Sequence, residues 1–283
     1  VKIADSLTYE LFAFNTKRFA ERFGEDGATI IRAIMAATDR DAIANGPVGG
    51  NVTLTDNFIS PLTWYYLELG APSAADPAGA EAMLEAAGWV KGGDGIRAKN
   101  GTPIVLDYCT TTRQYRADTL ALAAAQMSQI GIRVNVLVKP ALPDVFGGWN
   151  QVPDDTPCNT IHGNYDVVMH GYTSPLDPLG GYNVYHSSGI PDDPPHNGQN
   201  ETRVNIPALD EAYDTVRNSV DFAKVRDAMH TVQEIYGSDQ NTFELPLFLR
   251  KDVWLVSPKI RNFTGNPSTA SGQWNIGDWW LAE

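Results

Sequence analysis

The chain has 283 residues, 43% of them hydrophobic and 19% charged, which is the composition of a folded globular protein long enough for one large or two modest domains. Lys and Arg number 21 against 34 Asp and Glu, a formal charge of -13 that argues against nucleic acid and against an anionic membrane surface as the main partner. No apolar run reaches the eighteen or so residues of a membrane span.

The N-terminal "VKIADSLTYELFAFN" has neither a leader pattern nor a helix cap. It reads as a strand in progress, which predicts that the chain begins inside a longer protein. The β-formers of Leu7–Phe14 define that strand. Next, Ile30, Ile31, Ile34, Met35 and Thr38 fall at helical spacing behind Asp26 as a candidate cap, and a short helical piece ends at Gly46. From Pro47 to Ala75 no period is visible, and long loops in compact domains tend to be functional.

Asp76-Pro77 is a cap and first-turn pair for a helix through Met83, Leu84 and Ala87, stopped by Gly88. A glycine-rich link leads to the strand "IVLDYC". The helix after it places Ala117, Leu120, Ala121, Ala124 and Met127 on one stripe and ends at Gly131. In "IRVNVLV", Ile132, Val134, Val136 and Val138 share a strand face. "ALPDVFGGW" predicts a short helix, and "YDVVMHG" a strand that opens into a polar, aromatic loop reaching Ile206. Two helices follow, one with Leu209, Tyr213, Val216 and Val220 in register, the other starting at Asp221 with Phe222, Val225, Met229, Val232 and Tyr236. "FELPLFLRKDVWLVS" is a closing strand, and the tail carries Trp274, Trp279 and Trp280.

Alternating helices and short hydrophobic strands predict an α/β sandwich on a mostly parallel or mixed sheet. Ligands of open sheets sit beyond the carboxyl ends of strands. Two polar loops leave such ends: "TTTRQYR" after "IVLDYC" and "YTSPLDP" after "DVVMHG". Cys109 and Cys158 show no zinc-site spacing; they fit one disulfide in an exported protein, and equally two half-buried thiols.

The order of motifs resembles a known family. "IIRAIMAATDRDAI" is similar to the "vR.Al..aiDR..i" segment of the family 5 extracellular solute-binding proteins, the dipeptide- and oligopeptide-binding receptors of ABC importers. "DPAGAEAMLEAAGW" resembles their "akaLLaeAGw" helix, and "NGTPIVLDYCTTTRQYRADTLALAAAQMSQIGIRVNV" their strand, helix and "iGI.v.v" unit. "YDVVMHGYTSPLDP" is similar to "fDv...gw..d..dP", and "IPALDEAYDTVRNSVDFAKVRDAMHTVQEIYGSDQNTFELPLF" to their closing helices and strand. Five matches in order over nearly the whole chain make the resemblance specific.

The resemblance implies a lobe of the type II periplasmic-binding-protein kind, a mixed β-sheet flanked by helices. Residues 14–250 would be the second lobe, and 1–13 and 251–283 would belong with a first lobe that is largely missing. It implies capture of a peptide or other small polar solute between lobes and delivery to an ABC permease. The implied place is the periplasm or cell exterior, attached to the membrane only through a missing N-terminal anchor. In peptide-binding members an Asp four residues before the Pro of "dP" meets the ligand's α-amino group; here that position is Ser174. An Arg two residues before the Gly of "gw" meets a carboxylate in some; here it is Met169. Both partners of free peptide ends are therefore replaced, which leaves room for a neutral or capped ligand.

The candidate ligand-binding residues are Tyr172, Thr173, Ser174, Asp177, Arg113, Tyr115 and Tyr182. Tyr172 could stack on a ligand or pack on its loop. Thr173, Ser174 and Asp177 could bind a ligand or cap turns, and Arg113 could read an anion or stay solvated. His170 and His186 lack the spacing of metal ligands, and no cofactor is implied. The alternative is a secreted carbohydrate- or peptide-active hydrolase with Asp166 and Asp177 as paired carboxylates. No GxSxG, HExxH or phosphate loop supports an enzyme.

Overall fold

The computed structural model describes residues 1–70, 73–266 and 272–282. In chain order the elements are β1 (Lys2–Phe14), α1 (Thr16–Phe23), α2 (Gly27–Ala37), α3 (Arg40–Asn45) and α4 (Pro77–Ala86). A small meander of β2 (Val90–Lys91), β3 (Arg97–Lys99) and β4 (Thr102–Pro103) precedes β5 (Val105–Thr111), α5 (Gln114–Gln129) and β6 (Arg133–Lys139). Then come β7 (Val167–Thr173), the single turn α6 (Tyr182–Tyr185), α7 (Pro207–Asn218), α8 (Phe222–Tyr236), β8 (Glu244–Trp254) and the short pair β9 (Ile260–Arg261) and β10 (Trp280–Leu281).

The main sheet runs β6-β5-β7-β1-β8. β5 is parallel to β6 and β7, and β1 is antiparallel to β7 and β8, so the sheet is mixed. Its middle strands are covered on both faces and read as nearly continuous apolar runs. In β1, Phe12 and Phe14 join Leu106, Tyr108 and Met169 under α2, α4 and α5, whereas Tyr9, Leu11 and Ala13 join Cys109 and Val168 under α7 and α8. Alternation along a strand assigns these two faces.

Local signals hold where chemistry is local. The Asp76 carboxylate accepts from Gly79 N at 2.8 Å and Pro77 occupies the first turn of α4. Gly88 and Gly131 take φ of +85° and +84° beyond α4 and α5, a region open to glycine.

Longer-range packing changes several expectations. Asp26 does not cap α2; its carboxylate accepts from Trp89 Nε1 at 3.2 Å and pairs with Lys99 at 2.5 Å. The buried side of α5 is Arg116, Thr119, Leu120, Ala123, Gln126 and Met127, not the alanine stripe, and Ala121 is exposed. That face includes polar groups that find buried partners: Gln126 brackets the backbone of Asp39 at 3.2 and 3.3 Å. Val136 and Val138 remain exposed because β6 is an edge strand. "ALPDVFGGW" makes one irregular turn at Ala141–Val145 with extended backbone at Leu142. Val220 is 99% exposed and Phe222 74%, since α7 ends at Asn218 before the predicted register does.

β1 begins at Lys2 rather than near Leu7. From Leu7 to Phe14 every residue of this strand but Thr8 is buried in the sheet. Before Leu7, Lys2–Asp5 pairs with Lys251–Trp254 as a two-stranded ribbon. Because β1 pairs Thr8 with Thr173, the last residue of β7, the ribbon continues past the carboxyl edge of β7. In the tail, Phe263 contacts Trp254 and Trp279 at ring centroid distances of 6.0 and 5.5 Å, and Trp274 and Trp280 stay more than half exposed.

Candidate functional site at the carboxyl edge of the sheet

β5 and β7 run parallel, with Thr110 paired to Met169, so both deliver their loops to one edge. Arg113 follows the end of β5 by two residues, and β7 continues to Thr173. Strand alternation sends His170 and Tyr172 to the α7–α8 face and Gly171 and Thr173 to the α5 face. The edge therefore carries two concavities rather than one.

The first, of about 390 Å³, lies on the α7–α8 face, walled by Phe146, His170, Tyr172, Glu201 and Glu244. The segment 141–165 forms one side and is tied to β5 by a disulfide between Cys109 and Cys158, with Cα atoms 5.5 Å apart. His170 Nε2 bonds Glu201 Oε1, and the Phe146 ring lies edge-on to the imidazole at 5.5 Å. Burial alone would lower the His170 pKa, but the Glu201 carboxylate raises it above its usual value. Glu244 is 2% exposed. Its Oε2 accepts from Tyr236 Oη at 2.6 Å and Tyr185 Oη at 3.2 Å, and Tyr185 also meets Tyr9 Oη at 2.9 Å. Burial pushes the Glu244 carboxyl up to about 7; the Tyr236 hydroxyl opposes this and the Glu201 charge adds to it.

The second hollow, of about 510 Å³, lies beside the ribbon, between Arg113, Tyr115, Phe248, Arg250 and Lys251. Its floor is organised by Glu10, which is fully buried. Arg116 donates Nε to Oε2 and Nη2 to Oε1 of Glu10, both at 3.0 Å, while Tyr115 Oη donates to Oε1 at 2.7 Å and Arg250 closes the cluster. Burial raises the Glu10 pKa, but the Arg116 and Arg250 guanidiniums outweigh it and hold the carboxyl below its ordinary value. Gly171 leaves room for this cluster: a Cβ there would stand 2.7 Å from both Arg250 Nη2 and Glu10 Oε1, so the two side-chain ends would have to shift.

The predicted residues thus divide. Tyr172 is half-buried in the first concavity, 6.5 Å from Tyr9 by ring centroids. Arg113 is exposed in the second hollow, with Tyr115 anchored to Glu10. Thr173 is exposed but shares a cross-strand hydrogen bond of 2.9 Å with Thr8 Oγ1. Ser174 is 1% exposed; its hydroxyl donates to Phe58 O at 3.0 Å and accepts from Ser60 N at 2.9 Å, which fastens the 58–60 loop. Asp177 is exposed and accepts from Leu179 N at 3.0 Å. Tyr182 points away from both hollows, stacked on His186 at 4.4 Å and donating to Asp214 at 3.1 Å. Asp166 sits before β7, bound to Arg18 at 3.0 Å and Arg22 at 2.5 Å, and Asp177 lies beyond its other end, so the two carboxylates do not pair.

Sequence reading missed Glu10, Glu201 and Glu244. Glu10 and Glu244 had a signal: each is a lone carboxylate inside an apolar strand, in "YELF" and "FELP". Among the described residues, no group of three or more His, Cys, Asp or Glu side chains is placed to hold a metal ion, and no helix is long and apolar enough to cross a membrane.

A mixed sheet flanked by helices, with loops gathered at its carboxyl edge, defines a lobe of the periplasmic-binding-protein class. The family model for bacterial extracellular solute-binding proteins, family 5 Middle, matches residues 1–192, and the chain belongs to that family, whose members serve ABC importers. Among solved structures, the oligopeptide-binding protein AppA of Bacillus subtilis, in complex with a nonapeptide, matches with a TM-score of 0.76 and 22% identity over 100% of this chain and 52% of its own. The oligopeptide-binding protein of Thermus thermophilus, with a pentapeptide, gives 0.75 and 21% over 99% and 48%. NikA of Brucella suis, with Fe(III)-EDTA, gives 0.75 and 18% over 99% and 52%. The chain spans about half the length of these structures. No curated protein matches at a significant level.

Proposed function

We propose that this chain is the second lobe of a receptor that captures a solute in a cleft between two lobes and presents it to an ABC permease. The reading rests on one observation: the ribbon of Lys2–Asp5 and Lys251–Trp254, the loops after β5 and β7 and the hollow of Arg113 lie at one edge of the sheet, and Tyr172 near the end of β7 lines the other concavity. The other lobe would attach through that ribbon and the 251–283 tail. Closure would then be a hinge motion driven by tighter binding of solute to the closed form, and exclusion of water would strengthen each polar contact. The receptor would work in the periplasm or outside the cell, held at the surface by an anchor.

Peptides are the first solute class to test, since two similar structures hold them. Ser174 and Met169, the aligned positions for peptide ends, are both buried in this lobe, so recognition would rest on other groups. Tyr172 and Arg113 are the lobe's foremost accessible contacts. The experiment is mass spectrometry of small molecules released when the full receptor is purified natively and then denatured. A stoichiometric peptide or other polar solute is expected. A receptor that releases none, binds none from peptide and sugar panels, or hydrolyses them would overturn the reading.

A further inference from the structure

The geometry points to the concavity walled by His170, Glu201, Glu244, Tyr172 and Phe146 as a subsite for a basic group of the solute, an ammonium or guanidinium. This deepens the proposed solute capture and rests on it. The cavity, at about 390 Å³, falls in the range of roughly 300–1,000 Å³ common to small-molecule sites. Two carboxylates and one imidazole line it. His170 is committed to Glu201, so that pair balances its own charge when the imidazole is protonated.

Glu244 has no such counterion. Its Oε2 is held by the Tyr185 and Tyr236 hydroxyls, whereas among the described residues nothing donates to its Oε1, although the side chain is buried at the cavity wall. An ionised carboxylate in a buried position costs free energy unless it takes up a proton or a cation joins it. The Tyr172 and Phe146 rings line the same space, and aromatic rings attract cations within about 6 Å of their faces. The disulfide between Cys109 and Cys158 and the hydroxyl chain Tyr9–Tyr185–Glu244 fix the walls in advance, which limits the ordering cost of binding. An anionic or neutral group placed there would leave Glu244 unpaired or face it with like charge.

The test uses the full receptor at pH 8, where Glu244 is ionised. The ionisable groups facing it are Tyr185 from α6, Tyr213 from α7, Tyr236 from α8, Tyr9 from β1, His170 and Tyr172 from β7 and Glu201 from the 186–206 segment. The probe is an equimolar set of tripeptides that differ at one position among lysine, arginine, norleucine and glutamate, with binding read by native mass spectrometry and calorimetry. Lysine or arginine peptides are expected to bind at least tenfold tighter than norleucine peptides. Glu244→Gln, which preserves both tyrosine hydrogen bonds, should erase that preference. Glu201→Gln should reduce it in a receptor whose near-ultraviolet circular dichroism is unchanged. Equal binding of basic and neutral peptides, or a basic preference that survives Glu244→Gln, overturns the subsite while solute capture stands. Retention of no peptide at all overturns both.

Discussion

Glu10 on β1 is gripped by Arg116 on α5, whose Nε and Nη2 each reach a carboxylate oxygen at 3.0 Å in a fully buried position. This pair joins β1 to the helix that follows β5, directly beneath the hollow that holds Arg113. Removing one partner strands a buried charge, which costs about 3–5 kcal/mol. Glu10→Ala is therefore expected to lower unfolding free energy by about that amount in denaturant titrations. Glu10→Ala combined with Arg116→Met should recover much of the loss.

Glu244 makes stability fall as pH rises. Its folded pKa is about 7, above the ordinary carboxyl value of 4.5, so the folded protein keeps a proton that the unfolded chain releases between these values. This group's contribution to stability therefore declines from pH 4.5 to about 7 and is level above, at about 1.4 kcal/mol per pH unit. Glu244→Gln removes the dependence. The variant should gain about 2–3 kcal/mol on the parent between pH 5 and pH 8 in isothermal denaturation.

Ser174 separates structure from binding. Ser174→Ala leaves Ser60 N–H and Phe58 C=O without their buried partner, a loss of about 1–3 kcal/mol. Solute affinity of the full receptor should stay within about twofold, measured by calorimetry; a tenfold loss with intact stability would show a solute contact at Ser174.

Tyr172→Ala should act the other way. The ring is half-buried, packed on the edge of the core and lining the cavity wall. Solute affinity should drop about tenfold, or about 1.4 kcal/mol, with a smaller change in thermal midpoint.

The disulfide between Cys109 and Cys158 closes a loop of 49 residues. Loop-closure entropy gives about 4 kcal/mol for such a link. Replacing both cysteines with alanine should lower stability by about 2–4 kcal/mol and loosen the 141–165 wall, read as faster amide exchange there than in α8.

By itself the sequence determined the features that depend on neighbours along the chain. Asp76-Pro77, Gly88 and Gly131 mark helix ends because caps and positive φ act over a few residues. The β-formers of Leu7–Phe14 announced a strand, and the ordered motifs carried the family. Tertiary structure decided the chemistry of the edge. Ser174 looks like any loop hydroxyl until Phe58 and Ser60, more than a hundred residues away, close over it. Strand alternation in β7 sends Tyr172 into one hollow while the turn after β5 puts Arg113 in another, and the cavity around Glu244 exists only because segments near 146, 170, 201 and 244 converge. Burial, charge balance and cavity shape are set by such long-range contacts, on which periodicity and local propensity carry no information.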